Sequence, residues 1–247
     1  MESGGAELRM TTLVCLGDSI TQGHIGYAYV DQLQARFPAV RVINAGIDGD
    51  TTLNLWHRIE RDVLAHQPDV VTVMVGLNDF GTEFGEPLSQ AYYRLLKKVP
   101  MRIGIATYAA LYRAIVARLQ HAGCRVVLLT PTTLGELPDT AGQAILDGYA
   151  DVVRTLAMSA GVPLADVRAA FVREMRAHPR VGHEYHLWMV PYDQWRIRYF
   201  GNSYAQIAEQ RGQRLLVDGV HLNLAGATLV ADVVAPVLQS LLEGIHP

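Results

Sequence analysis

Cysteine is nearly absent from this 247-residue chain: Cys15 and Cys124 are the two it has. Both stand in apolar runs, where a thiol serves as a small buried apolar group, so a structural disulfide is not expected. Charge is scarce too. The 21 Lys and Arg against 24 Asp and Glu leave a formal net charge of -3, and a pI near 6.3 gives no field to draw phosphate backbones or an anionic bilayer. No nucleic acid partner is expected. Half of the residues are apolar, yet the longest apolar runs are strand-length and none approaches the roughly 20 residues of a membrane span. A soluble protein without stable membrane association follows as the expectation. Met1 to Arg9 carries Glu2 and Glu7 and has no apolar core behind them, unlike a secretory signal, so residues 1–10 read as a disordered leader and the expected location is cytoplasmic. Neither an internal repeat nor a Pro/Gly/Ser-rich linker divides the rest, which reads as one domain over residues 11–247.

What the chain does contain is a rhythm. Thr12 to Leu16, Val40 to Ala45, Asp69 to Val75, Arg125 to Thr130 and a short Pro163 to Val167 are rich in Val, Leu and Ile and apolar without alternation, the pattern of strands covered on both faces. Tyr27 to Phe37, Thr52 to His66, Ile103 to His121, Thr140 to Ser159 and Leu224 to Leu242 carry apolar residues at helical spacing, with Gly123 and Gly161 placed as helix stops. Repetition of β then α predicts an α/β fold: a three-layer α/β/α sandwich around a parallel sheet of about five strands. The rhythm fails between Arg176 and Leu216, where His183, Tyr185, His186, Trp188, Tyr192, Trp195, Tyr199 and Phe200 crowd together, and this stretch reads as an aromatic-rich insertion. Its rings could stack on a sugar or wall an acyl pocket, or they could form a flap core or a contact between copies in a homo-oligomer. His183-Glu184-Tyr185-His186 lacks the helical His-Glu-x-x-His spacing and a third ligand, so no metal is expected there. Arg94 to Met101 is a second irregular region, in which Lys97 and Lys98 read as a solvated turn.

Chemistry enters at four places. Gly17-Asp18-Ser19-Ile20-Thr21 follows the first strand and would deliver a serine hydroxyl to the carboxyl edge of the sheet, where ligands of open α/β sheets bind. The same serine could simply cap the next helix. A serine nucleophile needs a base, and the base an anion to fix its tautomer; Asp218-Gly219-Val220-His221 offers both, although such a pair in isolation is more often a surface turn. Acyl transfer further needs hydrogen-bond donors aimed at the developing oxyanion. Gly49, after the second strand, lets a backbone N–H approach a substrate, and Asn78, after the third, carries an amide with two protons. Either could equally be an ordinary loop residue.

Taken together these blocks resemble the SGNH, or GDSL, family of esterases and lipases: Gly-Asp-Ser at 17–19, glycine at 49, Gly-x-Asn-Asp at 76–79 and Asp-x-x-His at 218–221, in that order. The resemblance covers roughly Thr11 to Met175 and Val217 to Leu242. It implies a flavodoxin-like fold, Ser19 as nucleophile, His221 as base, Asp218 orienting it, and an oxyanion hole of the Ser19 N–H, the Gly49 N–H and the Asn78 side chain. It also implies a small-molecule ester substrate and no cofactor. Short acyl esters are the leading expectation, with acetyl groups on a carbohydrate among them because the family includes such deacetylases. A lysophospholipase or thioesterase would use the same residues, but no amphipathic surface helix for lipid is evident. A protein that binds an acylated sugar with an idle catalytic set is the alternative from another class.

Overall fold

A computed structural model describes residues 10–178 and 189–244. Its centre is a sheet of five parallel strands, β1 (Thr12–Gly17), β2 (Arg41–Gly46), β3 (Val70–Met74), β4 (Arg125–Leu129) and β5 (Leu164–Ala165), in the order β2-β1-β3-β4-β5. Every residue of β1 and β3 is buried, as their unbroken apolar runs require. β2 departs from that expectation: it is an edge strand with Arg41 and Asn44 exposed and only Ala45 buried. Gly17 stands in register with Gly46 on one side and Met74 on the other, so the loops leaving β1, β2 and β3 emerge side by side. The chain winds to one side of β1 for β2 and to the other for β3, and crevices of such sheets open at this change of direction.

Helices cover both faces: α1 (Ser19–Gln22), α2 (Tyr29–Arg36), α3 (Thr52–Asp62), α4 (Leu77–Phe84), α5 (Pro87–Leu95), α6 (Ile105–His121), α7 (Ala141–Ala160), α8 (Val167–Ala177), α9 (Met189–Phe200), α10 (Tyr204–Gln210) and α11 (Leu224–Glu243). Gly123 and Gly161 take positive φ, 83° and 64°, and release the chain from α6 and α7 into the next strands. Tyr108, Tyr112 and Tyr149 lie wholly inside, and each hydroxyl donates to a backbone carbonyl, of Val75, Val73 and Ile103 respectively, so their rings fill the core without stranding a polar atom.

Three expectations need correction. Within the span 176–216 the helical rhythm does not fail throughout, because α9 and α10 lie there; the pattern is hard to read since α9 is aromatic on exposed positions such as Tyr199 and Phe200. The residues 179–188, with the His183–His186 stretch, lie outside the described residues. An amphipathic surface helix does exist: α5 and the residue after it present Leu88, Leu95 and Leu96 at 65%, 67% and 72% exposure. Finally, among the described residues α11 has the length and hydropathy of a membrane span. Its Ala227, Val230, Ala231, Val234 and Leu238 are buried in the core and it packs against α2 and α8, so that apolar composition is used inside the domain.

Candidate active site

Ser19 is the first residue of α1. Asp18 caps that helix, its Oδ1 accepting the Ile20 N–H at 3.0 Å, and the Asn44 amide reaches from β2 to the carbonyls of Thr21 and Gln22 at the other end. Gly17 is needed because a Cβ there would lie 2.0 Å from Thr21 Oγ1 and 2.7 Å from the Met74 carbonyl. One helical turn thus holds the serine at the carboxyl edge of β1.

The Asp218–His221 segment is a tight turn closed by its own carboxylate. Leu216 and Leu222 pair antiparallel across it, the Val217 N–H donates to the His221 carbonyl at 2.7 Å, and Gly219 adopts φ 94° at the tip. Asp218 Oδ1 accepts the Val220 and His221 N–H groups at 3.0 and 2.9 Å, which leaves Oδ2 for the ring: it lies 2.7 Å from His221 Nδ1. His221 Nε2 is 3.1 Å from Ser19 Oγ. Asp218 is fully buried and Ser19 and His221 are nearly so. The spacing of three is therefore what allows one carboxylate to shape a turn and grip an imidazole.

Burial works against ionisation of Asp218, but the adjacent His221 and the two backbone N–H bonds outweigh it and hold the carboxyl below its usual range. Burial likewise opposes a charged His221; the Asp218 carboxylate overcomes this and raises the imidazole above its ordinary value, with smaller help from Asp48 and Asp18. Asp18 itself is pushed up to about 7, first by burial and then by the nearby Asp79 carboxyl, against the stabilising Ile20 N–H.

Gly49 and Asn78 come to the same place. Gly49 has φ 73°, and a Cβ there would meet the Tyr92 hydroxyl at 2.3 Å, so the site excludes other residues twice over. Asn78 belongs to the first turn of α4 rather than to a loop; Tyr93 donates to its Oδ1 at 2.8 Å, which sets the amide's orientation. Its Nδ2 donates to the Asp50 carbonyl at 2.9 Å and, more weakly, to Asp18 Oδ2 at 3.3 Å. Ser19, Gly49, Asn78 and His221 all line one cleft of about 660 Å³, whose far wall is the apolar side of α5 with Leu88, Leu95 and Leu96.

Sequence reasoning missed several supports of this site. Glu136, nearly buried, accepts the successive N–H groups of Arg214, Leu215 and Leu216 at 2.7 to 3.0 Å and so anchors the segment that leads into the Asp218 turn. Arg211, at the end of α10, holds Asp193 of α9 in a two-bonded ion pair and reaches the Val217 carbonyl, next to Asp218, through a long 3.4 Å bond. Lys97 is not solvated: its Nζ lies 2.7 Å from both Asp50 Oδ1 and the Asp48 carbonyl, with the side chain only 16% exposed. Single charged residues on irregular segments carry no local signal of such partners, and only the chain's return to β1–β3 supplies them.

An α/β sandwich whose sheet edge carries a buried Asp–His–Ser hydrogen-bonded chain defines the class of serine acyl hydrolases. The chain belongs to the GDSL-like Lipase/Acylhydrolase family, which residues 15–229 match, and it is a carboxylic ester hydrolase. It is 29% identical over 177 residues to an acetylxylan esterase of Geobacillus stearothermophilus, covering 64% of this chain and 77% of that one. Among solved structures it is similar to LAE5, an alpha/beta hydrolase enzyme from the metagenome of Lake Arreo, Spain, with 26% identity, a TM-score of 0.64 and 92% and 94% of the two chains covered. The fold also matches that of Axe2, an acetylxylan esterase from Geobacillus stearothermophilus, at 23% identity and a TM-score of 0.63 over 92% and 93% of the chains.

Proposed function

We propose that this esterase hydrolyses short acyl esters, acetyl esters of a carbohydrate foremost, through an acyl-enzyme on Ser19. The observation that carries the chemistry is the continuous chain from Asp218 Oδ2 through His221 to Ser19 Oγ, at 2.7 and 3.1 Å, opening on a cleft. In this reading His221 Nε2 takes the hydroxyl proton as Ser19 Oγ attacks the ester carbonyl. Asp218 holds the Nδ1–H tautomer and balances the imidazolium. The Ser19 and Gly49 N–H groups and the Asn78 amide receive the oxyanion, the substrate oxygen displacing the weak 3.3 Å bond between Asn78 and Asp18. Collapse of the tetrahedral intermediate breaks the ester C–O bond and passes the proton from His221 to the departing alcohol. A water then repeats the sequence on the acyl-enzyme and frees the acid.

The acetylxylan esterases among its relatives support an acetylated sugar as substrate. A second reading rests on the cleft itself: the exposed Leu88, Leu95 and Leu96 on its wall suit a longer aliphatic group. Turnover of acetyl, octanoyl and palmitoyl p-nitrophenyl esters beside acetylated xylo-oligosaccharides separates the two. Acetyl release from the oligosaccharide with kcat/KM falling as the acyl chain lengthens is the expected result; faster turnover of the palmitoyl ester overturns the acetyl preference. Ser19→Ala should abolish every one of these activities, and retention of any would refute the serine mechanism.

A further inference from the structure

The glycine loop after β2 is held in a way that one structural ion pair would not require. Asp50 is 3% exposed, yet its carboxylate is met by two cations: Arg58 Nε at Oδ2 and Lys97 Nζ at Oδ1, both at 2.7 Å. Arg58 directs a second nitrogen to the Gly17 carbonyl at 2.8 Å, two residues before Ser19, and so fastens the glycine loop to the loop of the nucleophile. Lys97 directs its second bond differently, to the carbonyl of Asp48 at 2.7 Å. Gly49 is thereby bracketed: the residue before it is fixed through its carbonyl and the residue after it through its carboxylate, by the same ammonium group. The brackets continue outward. The Asp48 N–H donates to Gln22 Oε1 at 2.6 Å, and the Asp50 carbonyl receives the Asn78 amide at 2.9 Å. Lys97 is in turn kept in place by Asn54, whose amide donates to the Lys97 carbonyl at 3.0 Å while its Oδ1 accepts from Thr51 at the start of α3.

We infer that Lys97 is a positioning residue for ester hydrolysis, aligning the Gly49 N–H and, through Asp50, the Asn78 amide on the oxyanion of the tetrahedral intermediate. This rests on the assignment of the oxyanion hole made above. A glycine at positive φ flanked by freely rotating peptides would sample orientations in which its N–H turns away from the cleft, and the energy of such a donor is realised only if it needs no reorganisation during reaction. Arg58 alone neutralises Asp50 and joins the two loops; the contribution special to Lys97 is the second anchor at Asp48, which removes the remaining freedom of the Asp48–Gly49 peptide. Lys97 is not among the residues that line the cleft, so substrate contact does not explain its placement.

Removing the ammonium should therefore lower transition-state binding and leave ground-state binding in place. Lys97→Met should reduce kcat for p-nitrophenyl acetate about 10- to 100-fold, short of the loss expected for a whole donor, with KM changed less than about threefold. A trifluoromethyl ketone, which adds Ser19 Oγ to its carbonyl and places a tetrahedral oxyanion in the same hole, should lose affinity by the factor lost from kcat. Lys97→Arg should recover most of both quantities. Lys97→Gln, which keeps a hydrogen-bonding end without the cation, carries the same comparison should the Met variant fail to fold. Either kcat within about twofold of the parent, or a raised KM with kcat and ketone affinity unchanged, overturns the proposal. If Ser19→Ala is inactive and Lys97→Met is unimpaired, the positioning role alone fails; if Ser19→Ala remains active, the reading beneath it fails too.

Discussion

Replacing Asp218 by Asn tests the site at its most constrained point. The substitution is nearly isosteric, and an Asn side-chain oxygen can still accept the Val220 and His221 N–H groups that shape the turn. The atom that would then face His221 Nδ1 at 2.7 Å is an NH₂, a donor where an acceptor stood. Two N–H groups cannot face each other at that distance, so the ring is expected to carry its proton on Nε2 and present a lone pair at Nδ1. That proton lies on the 3.1 Å line to Ser19 Oγ, and the base can no longer accept. The loss of kcat should be about 10⁴-fold, as for the analogous change in a Ser-His-Asp protease, equivalent to about 5.4 kcal/mol of activation free energy. KM should change little, since no substrate contact is removed. The same variant reports on charge. In the parent, Asp218 raises the His221 imidazole, activity needs that imidazole neutral, and so the acidic limb of kcat/KM should lie above the ordinary histidine value and activity should fall as pH drops through it. Asp218→Asn removes the largest raising influence while burial remains, and the residual activity should persist to lower pH. Steady-state hydrolysis of p-nitrophenyl acetate from about pH 4 to about pH 9, which brackets the carboxylate and imidazole ranges, measures both, with thermal unfolding to verify the fold. A folded Asp218→Asn enzyme within about tenfold of the parent, or with an unmoved acidic limb, would refute the assigned roles.

Other outcomes follow from particular contacts. Gly49→Ala places a methyl 2.3 Å from the Tyr92 hydroxyl at a backbone angle L-residues avoid, and should cost about 10²-fold or more in kcat, read in the same assay; unchanged turnover would refute the reading that the backbone angle and close packing at Gly49 are needed to aim this N–H. Glu136→Ala strands the backbone N–H groups of Arg214, Leu215 and Leu216 and should destabilise the fold by about 3 kcal/mol or more in urea unfolding. A change below about 1 kcal/mol would mean that solvent or a neighbour replaces the carboxylate. Cys15 is fully buried and its thiol is pushed up to about 12 by burial, so Ellman's reagent should leave it untouched in the native enzyme and titrate it after denaturation; prompt native labelling of Cys15 would contradict its place in the core.

The chain's sequence by itself determined the layered α/β class, because strand-length apolar runs such as Thr12–Gly17 and Val70–Met74 can be satisfied only when both faces are covered. It also marked Ser19, Gly49, Asn78, Asp218 and His221 as candidates, since each stands in a short block and the order of the blocks resembles that of a known family. It left the end of α5 as an irregular region, presented Lys97 as a solvated residue, and gave no hint of Glu136 or of the Arg58–Asp50 pair. Those interactions join segments separated along the chain, and their energy exists only once the segments meet. The tertiary structure alone decided that strands β1, β2 and β3 end in register, that the Asp218 turn folds back onto α1 from 202 residues away, and that one ammonium group reaches both sides of Gly49. The physical reason is that a hydrogen bond depends on ångström-scale geometry, which periodicity constrains within an element but never between elements.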